Sequence, residues 1–372
     1  MEPMRVLQVC GEPFAGGGQE SYLMNMYRHI DRTRVQFDFY TPFENQMPQM
    51  EREVLRLGGR LWVSGYPFGE DNRGHFRRGL SAFLAQHPYS VVHIHSGSLY
   101  ALATGAKLAR QFGARRVIVH SHCGGFANLR YRVARVATRR AMLRYPTDYY
   151  ACSHLAARWK FPRSVIRRGK YTVLKNAVDT AAFRYDPALR LATRRQLGLG
   201  DKPTVGHVGR FALQKNHRFL IEVFAALTAI DPTAQLVLVG EGELLDEVLE
   251  QIDRLGLEDR VHYLGARRDI PALMQAFDVL LLPSFFEGLP VVGVEAQAAG
   301  LPVVTSTGVT RELPLENLAT YLPLAESAEA WARQVGRAMA TPRRDTAHEM
   351  TACGYDVVAA AREMQRRYEE MM

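Results

Sequence analysis

The sequence predicts an α/β protein made of two doubly wound halves, each with a parallel sheet. Three observations predict this. Apolar strand patterns alternate with single amphipathic helices from Arg5 to Leu174, and the alternation resumes from Thr204 to Thr305. Strands separated by one helix each imply βαβ units and sheets covered on both faces. The length of 372 residues is more than one core comfortably serves, so two domains are expected.

The elements follow in order. Arg5–Val9 reads as a strand, then come Gly16-Gly17-Gly18 and an amphipathic helix from about Gln19 to Ile30. Val35–Tyr40 alternates as a strand, and a helix follows from about Gln49 to Leu57. Gly58-Gly59 turns the chain into a strand at Arg60–Val63. Val91–His95 and Arg116–His120 are apolar strands joined by a helix, Leu99–Gln111. Asp148–Cys152 and Tyr171–Leu174 complete the first half. A break follows over Asn176–Asp201, with a turn cluster at Asn176-Ala-Val-Asp179, a polar helix from Pro187 and a linker at Gly198–Pro203. The second series of strands is Thr204–Val208, Ala234–Val239, Val261–Leu264, Val279–Leu282 and Val303–Thr305. The last stretch, about Thr346 to Met372, reads as one charged helix.

Composition narrows the setting. The hydrophobic fraction is 47%, ordinary for a globular protein, and no apolar run approaches the roughly 18 residues of a membrane span. The strand pattern begins at once, with no signal peptide. The four cysteines have no metal or redox spacing. A cytoplasmic protein is expected. The net charge of +9 points to an anionic ligand or surface, and only six of the 47 basic residues are lysine.

Chemistry concentrates at the ends of strands, where ligands of such sheets bind. After the strand ending in Pro283, the loop Ser284–Gly288 leads to a helix opened by Pro290 and closed by Gly300. The N–H groups of Gly288 to Val291 then leave a helix N-terminus, a ready anion site. Glu287 and Glu295 flank it and suit hydroxyl groups beside a bound phosphate; the plain alternative is a cap and a solvated helix residue. In Gly209-Arg-Phe-Ala-Leu-Gln-Lys-Asn216, Arg210 and Lys215 stand where two cations can neutralise a pyrophosphate. A lysine here, in a chain that nearly always uses arginine, suggests that a compact ammonium is wanted. Gly16-Gly17-Gly18 permits close backbone approach to a ligand, or is a plain turn. His93 and His95 end one strand, and His120 and His122 the next, each pair on one face. No carboxylate or cysteine completes a metal site with them. Finally, Asn128 to Lys170 carries twelve basic residues and one acid, Asp148, interleaved with Tyr131, Tyr145, Trp159 and Phe161. Nucleic acid and an anionic membrane both fit such a stretch, and so does a solvated face.

These pieces occur together in one family. The chain resembles the retaining family 4 glycosyltransferases of the GT-B fold along nearly its whole length, in particular bacterial enzymes that build exopolysaccharide or capsule. The matching residues are Gly16-Gly17-Gly18-Gln-Glu20, His120-Ser-His122, Lys175-Asn-Ala-Val-Asp179 with Phe183, and Gly206-His-Val-Gly-Arg-Phe211 with Gln214-Lys-Asn-His217. Val239-Gly-Glu-Gly-Glu243 and the Glu287-x7-Glu295 pair complete the set.

The resemblance implies two Rossmann-like domains facing each other across a cleft, residues 1–185 for the acceptor and 186–350 for a nucleotide sugar. A helix at 351–372 would pack back on the first domain. Arg210 and Lys215 would hold the diphosphate, Glu295 the ribose and Glu287 the transferred sugar. Gly209, Gly288, Leu289 and Pro290 would face phosphate or sugar, although Pro290 has no N–H to give. Gly17 and Gly18 would line the phosphate from the other domain, and Gly265 and Ala266 would meet the base. His120 or His122 would sit at the reacting sugar, with His122 preferred. The implied reaction moves a hexose to a saccharide, lipid-linked and held at an anionic membrane, with retained configuration and with no metal or other cofactor. An epimerase of the same fold is the nearest rival. A nucleic-acid binder would not place Glu287 and Glu295 beside its anion site. One departure is Gly308-Val-Thr-Arg-Glu-Leu313, which stands where many members carry a glycine-rich acidic segment.

Overall fold

The computed structural model describes residues 2–14, 18–45, 47–122 and 129–371. The chain divides into two units, Met1–Asn176 with Val357–Met372, and Ala177–Asp356. The first unit runs β1 (Met4–Cys10), α1 (Gly18–His29), β2 (Val35–Phe43), α2 (Pro48–Arg56), β3 (Arg60–Tyr66), α3 (Asn72–Gln86) and β4 (Val91–Ser96). It continues with α4 (Leu99–Gln111), β5 (Arg116–Ser121), α5 (Leu129–Arg144), β6 (Asp148–Ala151), α6 (His154–Lys160), α7 (Arg163–Arg167) and β7 (Thr172–Val173). The second unit begins α8 (Thr180–Phe183), α9 (Pro187–Gln196), β8 (Thr204–Val208), α10 (His217–Ile230), β9 (Gln235–Val239), α11 (Leu245–Arg254) and β10 (Val261–Tyr263). It ends with α12 (Ile270–Ala276), β11 (Val279–Leu282), α13 (Val291–Ala298), β12 (Val303–Ser306), β13 (Ala319–Leu322), α14 (Ala328–Met339) and α15 (Ala347–Ala352). The last helix, α16 (Val357–Glu369), returns to the first unit.

Both sheets are parallel throughout, in the orders β3-β2-β1-β4-β5-β6-β7 and β10-β9-β8-β11-β12-β13. Central strands such as β2 and β9 are buried along their whole length, as parallel strands with helices on both faces must be. The order reverses direction between β1 and β4 in one sheet and between β8 and β11 in the other. At such a point neighbouring loops diverge to opposite faces and leave a crevice beyond the carboxyl ends.

Several expectations change. The C-terminal stretch is two helices, because Gly354 takes φ +74 and ends α15. Beyond it, Tyr355 is buried with its hydroxyl donated to the Glu312 carbonyl at 2.7 Å, and Asp356 bridges Val178. The segment Gly198–Pro203 is a tied turn rather than a linker. Arg194 donates to the carbonyls of Gly200 at 2.9 Å and Lys202 at 2.5 Å, and Leu199 is buried. The residues from Ala177 to Tyr185 belong to the second unit, where Gln275 donates to the Phe183 carbonyl at 3.2 Å. Helices α3 and α5 and strand β13 add elements that the sequence pattern did not single out. Asp71 caps α3 by accepting from Gly74 N–H at 3.1 Å.

Candidate active site

In the second unit, the loops after β8 and β11 lie side by side at the switch point. Gln214 laces them together: its carbonyl accepts from Phe285 N–H at 2.9 Å, and its amide donates to Phe286 O at 2.9 Å and Glu287 Oε2 at 3.0 Å. Asn216 then turns the chain into α10 with φ 57 and ψ 48, the left-handed region that asparagine tolerates. Its side chain donates to Pro283 O at 3.1 Å.

This lacing brings Lys215 Nζ to 2.6 Å from Glu287 Oε1. Both side chains are largely shielded, and Ser284 Oγ donates to the same carboxylate oxygen at 3.3 Å. The lysine stem passes over Gly209, where an added Cβ would lie 3.2 Å from Lys215 Cε and 3.3 Å from His207 Nε2. Arg210, in contrast, is exposed and pairs at 3.1 Å with the equally exposed Glu243.

Helix α13 begins at Val291 with Pro290 as its N-cap, so the first-turn amides at Val291 and Val292 face outward from its N-terminus. Glu295 sits in its second turn. Burial pushes this carboxyl up to about 7, and among the described residues no cation pairs with it. Glu287 lies in the loop rather than on the helix, so the rise of a helix does not set its distance from Glu295. The departing segment has a place here: Glu287 N–H donates to Gly308 O at 3.3 Å, and Glu287 bridges Val309. A Cβ at Gly308 would stand 2.1 Å from the Phe285 carbonyl, so this close approach needs glycine. Gly265 has φ +64 and accepts from Gly240 N–H at 2.9 Å, with Ala266 following it at the end of β10.

In the first unit, the register pairs His95 with His120 and Ser96 with Ser121. The period of two then places His93, His95, His120 and His122 on one face of β4 and β5. His93, His95 and His120 are fully buried, while His122 reaches the carboxyl edge half-buried. Burial holds the first three well below the usual histidine range and takes His122 to about 3, so all are neutral at physiological pH. Ring nitrogens of His93, His95 and His120 lie within 4.8 Å of one another, a cluster that sequence spacing did not reveal. It is poorly shaped for an ion. His95 engages both nitrogens, with His122 Nε2 at 2.8 Å and Gln8 Oε1 at 2.8 Å, and the rings of His93 and His120 stack at 9°. Lone pairs of rings stacked in this way lie in separate, nearly parallel planes and do not meet at one point.

Gly17 lies outside the described residues, as does Gly16; Gly18 opens α1 and is exposed. Glu12, just beyond β1, was not singled out from the sequence. It accepts from Ser96 Oγ at 2.6 Å and Gly97 N–H at 3.0 Å, and burial raises its carboxyl. An acid directly after the strand at a switch point was the available signal. The basic stretch begins with α5, whose exposed side chains include Val133, Val136 and Leu143 alongside Arg132, Arg139 and Arg140. Phe161 of the basic stretch is fully buried against Tyr149 and Tyr171, so it cannot reach a membrane interface, and Trp159 packs on Tyr131.

Comparison with known proteins decides what this geometry belongs to. The family model described as Glycosyl transferase 4-like domain matches residues 17–177, and that described as Glycosyl transferases group 1 matches residues 202–341. The protein named "Putative glycosyltransferase EpsF" of Bacillus subtilis (strain 168) is 36% identical over 91% of this chain and 90% of its own length. The chain belongs to the family 4 glycosyltransferases. A GDP-mannose-dependent alpha-(1-6)-phosphatidylinositol monomannoside mannosyltransferase of Mycolicibacterium smegmatis is 30% identical over 89% of this chain and 88% of its own. The crystal structure of HepE from Anabaena in complex with UDP and glucose matches with a TM-score of 0.78 at 21% identity, covering 98% of this chain and 99% of that one. The glycosyltransferase fold is therefore GT-B, with two Rossmann-like halves. Among its described residues no helix is long and apolar enough to cross a membrane.

Proposed function

We propose that this glycosyltransferase moves a hexose from a nucleotide diphosphate sugar to a lipid-linked saccharide, with retained anomeric configuration, in the assembly of a bacterial surface polysaccharide. The observation that carries the reading is the Lys215–Glu287 pair, fixed by Gln214 beside the N-terminus of α13 at the switch point of the second sheet. A diphosphate leaving group gains negative charge as its bond to the sugar breaks. Lys215 and the first-turn amides of α13 are positive ends held in place before the reaction begins, and the exposed Arg210 adds a second cation for that charge. Glu295 receives ribose hydroxyls and Glu287 those of the transferred sugar; Gly209, Gly288 and Leu289 allow the backbone close to the phosphates, and Gly265 and Ala266 meet the base. In the first unit, resemblance to the family gives Gly17 and Gly18 a phosphate-facing role and His122 a role at the reacting sugar. Protein cations take the place a metal fills elsewhere.

The acceptor class is supported by the lipid acceptor in the name of the mycobacterial relative and by the exposed Arg and Val face of α5. The enzyme then works as a peripheral protein at the cytoplasmic face of the membrane.

The test begins with a thermal-shift screen of nucleotide sugars, in which a bound donor raises the melting temperature. Product analysis by NMR with the retained donor follows. An α-linked product from an α-linked donor supports the reading, inversion overturns retention, and a free epimerised nucleotide sugar would make the protein an epimerase. Activity is expected to survive chelation; loss that magnesium or manganese restores would overturn metal independence.

A further inference from the structure

A buried chain of hydrogen bonds runs from His122 to the last helix of the sequence. His122 Nε2 lies 2.8 Å from His95 Nδ1, and His95 Nε2 lies 2.8 Å from Gln8 Oε1. Gln8 Nε2 donates to Tyr368 Oη at 3.2 Å, and Tyr368 Oη lies 2.7 Å from His93 Nδ1. Gln8, His93, His95 and Tyr368 are all buried, so no solvent competes for these bonds.

The directions of the bonds follow from one another. An amide that donates to Tyr368 presents its carbonyl to His95, so His95 must carry its proton on Nε2. A neutral His95 then has only a lone pair at Nδ1, and His122 must supply the proton from Nε2. The two contacts of Tyr368 agree with this sense. Hydroxyl donors make shorter bonds than amide donors, and the short contact is the one to His93. We infer that Gln8 and Tyr368 are positioning residues that fix His122 as its Nε2–H tautomer and leave Nδ1 as a hydrogen-bond acceptor. Among the described residues nothing pairs with that Nδ1. A sugar hydroxyl can donate to that Nδ1, whereas a group that only accepts cannot pair with it.

The inference rests on the proposed place of His122 in the reaction only for its kinetic consequence. Its structural content is tested directly. In protein labelled with 15N-histidine, long-range 1H–15N correlation reads which ring nitrogen carries the proton, and His122→Gln assigns the signal. The expected result is a proton on Nε2. A proton on Nδ1 would mean that every bond in the chain runs the other way, and overturns the inference. Tyr368→Phe and Gln8→Met are each expected to turn the His122 signal into a mixture of tautomers; an unchanged signal in both variants overturns the relay.

The kinetic arm is a double-mutant cycle with the donor retained by the thermal-shift screen. Tyr368→Phe is expected to lower kcat about tenfold with KM within about twofold. In a His122→Ala background the same change is expected to add nothing. An equal loss in both backgrounds would make the role of Tyr368 merely structural. If His122→Ala itself turns over normally, the placement of His122 in the reaction has failed, and the tautomer still decides the relay.

Discussion

Lys215 and Arg210 were both legible as cations at a strand end, yet the structure gives them different physical lives. Arg210 pairs in solvent with Glu243, and such exposed pairs add little to stability. Arg210→Ala is therefore expected to keep the melting temperature and lower turnover on the order of 100-fold. Lys215 is shielded with Glu287, so Lys215→Met leaves a carboxylate without its cation and costs on the order of 3 kcal/mol as well as turnover. The double variant Lys215→Met with Glu287→Gln should regain the melting temperature but not the rate; regained rate would remove Lys215 from the phosphate site. Glu295 offers a pH test. Its carboxyl is raised from 4.5 to about 7 by burial, so the folded state holds its proton more tightly than the unfolded chain. That contribution to stability is complete below about pH 4.5 and is lost as pH rises through 7. Glu295→Gln should flatten this dependence and stabilise the empty protein at pH 8 by up to about 3 kcal/mol. Ribose hydroxyls favour the carboxylate, so nucleoside diphosphate binding should tighten from pH 6 to 8 in the wild type beyond any change in the variant. Parallel titrations of the two proteins by calorimetry check this, and identical pH profiles would refute the ribose assignment.

At the scale of elements, helix α5 joins a basic face to exposed Val133, Val136 and Leu143. Each lysine or arginine near an anionic leaflet contributes roughly 1 kcal/mol, falling off within a Debye length. Apolar side chains on the same helix can enter the interface. Binding to vesicles is expected to require anionic lipid, to weaken with salt, and to fall at least tenfold when Arg132, Arg139 and Arg140 become glutamine. Co-sedimentation with anionic and neutral vesicles measures it; equal binding to both, or to neither, would refute a membrane face. The sequence showed the charge of this stretch but not its exposed aliphatic side chains, since valine and leucine at helical spacing usually mark a core face. The elements with clean strand patterns, such as β8 and β11, were legible because parallel strands are apolar on both faces. Helix α3 was not, because its segment Asn72–Gln86 mixes arginine, glycine and phenylalanine without a sharp apolar stripe.

At the scale of the molecule, α16 belongs to the first unit although it follows the whole of the second. Met364 and Tyr368 are buried there, Gln365 accepts from Asp31 N–H at 3.1 Å, and Arg34 pairs with Glu369 at 2.7 Å. Truncation after Asp356 is expected to speed amide exchange in β1, β2 and β4 while β8 and β11 keep their protection. Hydrogen-exchange mass spectrometry decides it, and unchanged exchange in β1 would deny α16 its structural part. The sequence by itself determined the alternation of strand and helix, the two-unit architecture, the loops at strand ends that carry Lys215, Glu287 and His122, and the following helix that carries Glu295. Those features are local: hydrophobic period, proline and glycine at helix ends, and charge at the close of a strand. Only the tertiary structure decided which groups meet. Lys215 and Glu287 stand 72 residues apart, and Gln8 and Tyr368 stand 360 apart. No local pattern encodes such a contact, because strand order and register set it, and those are fixed only when both sheets close over their helices.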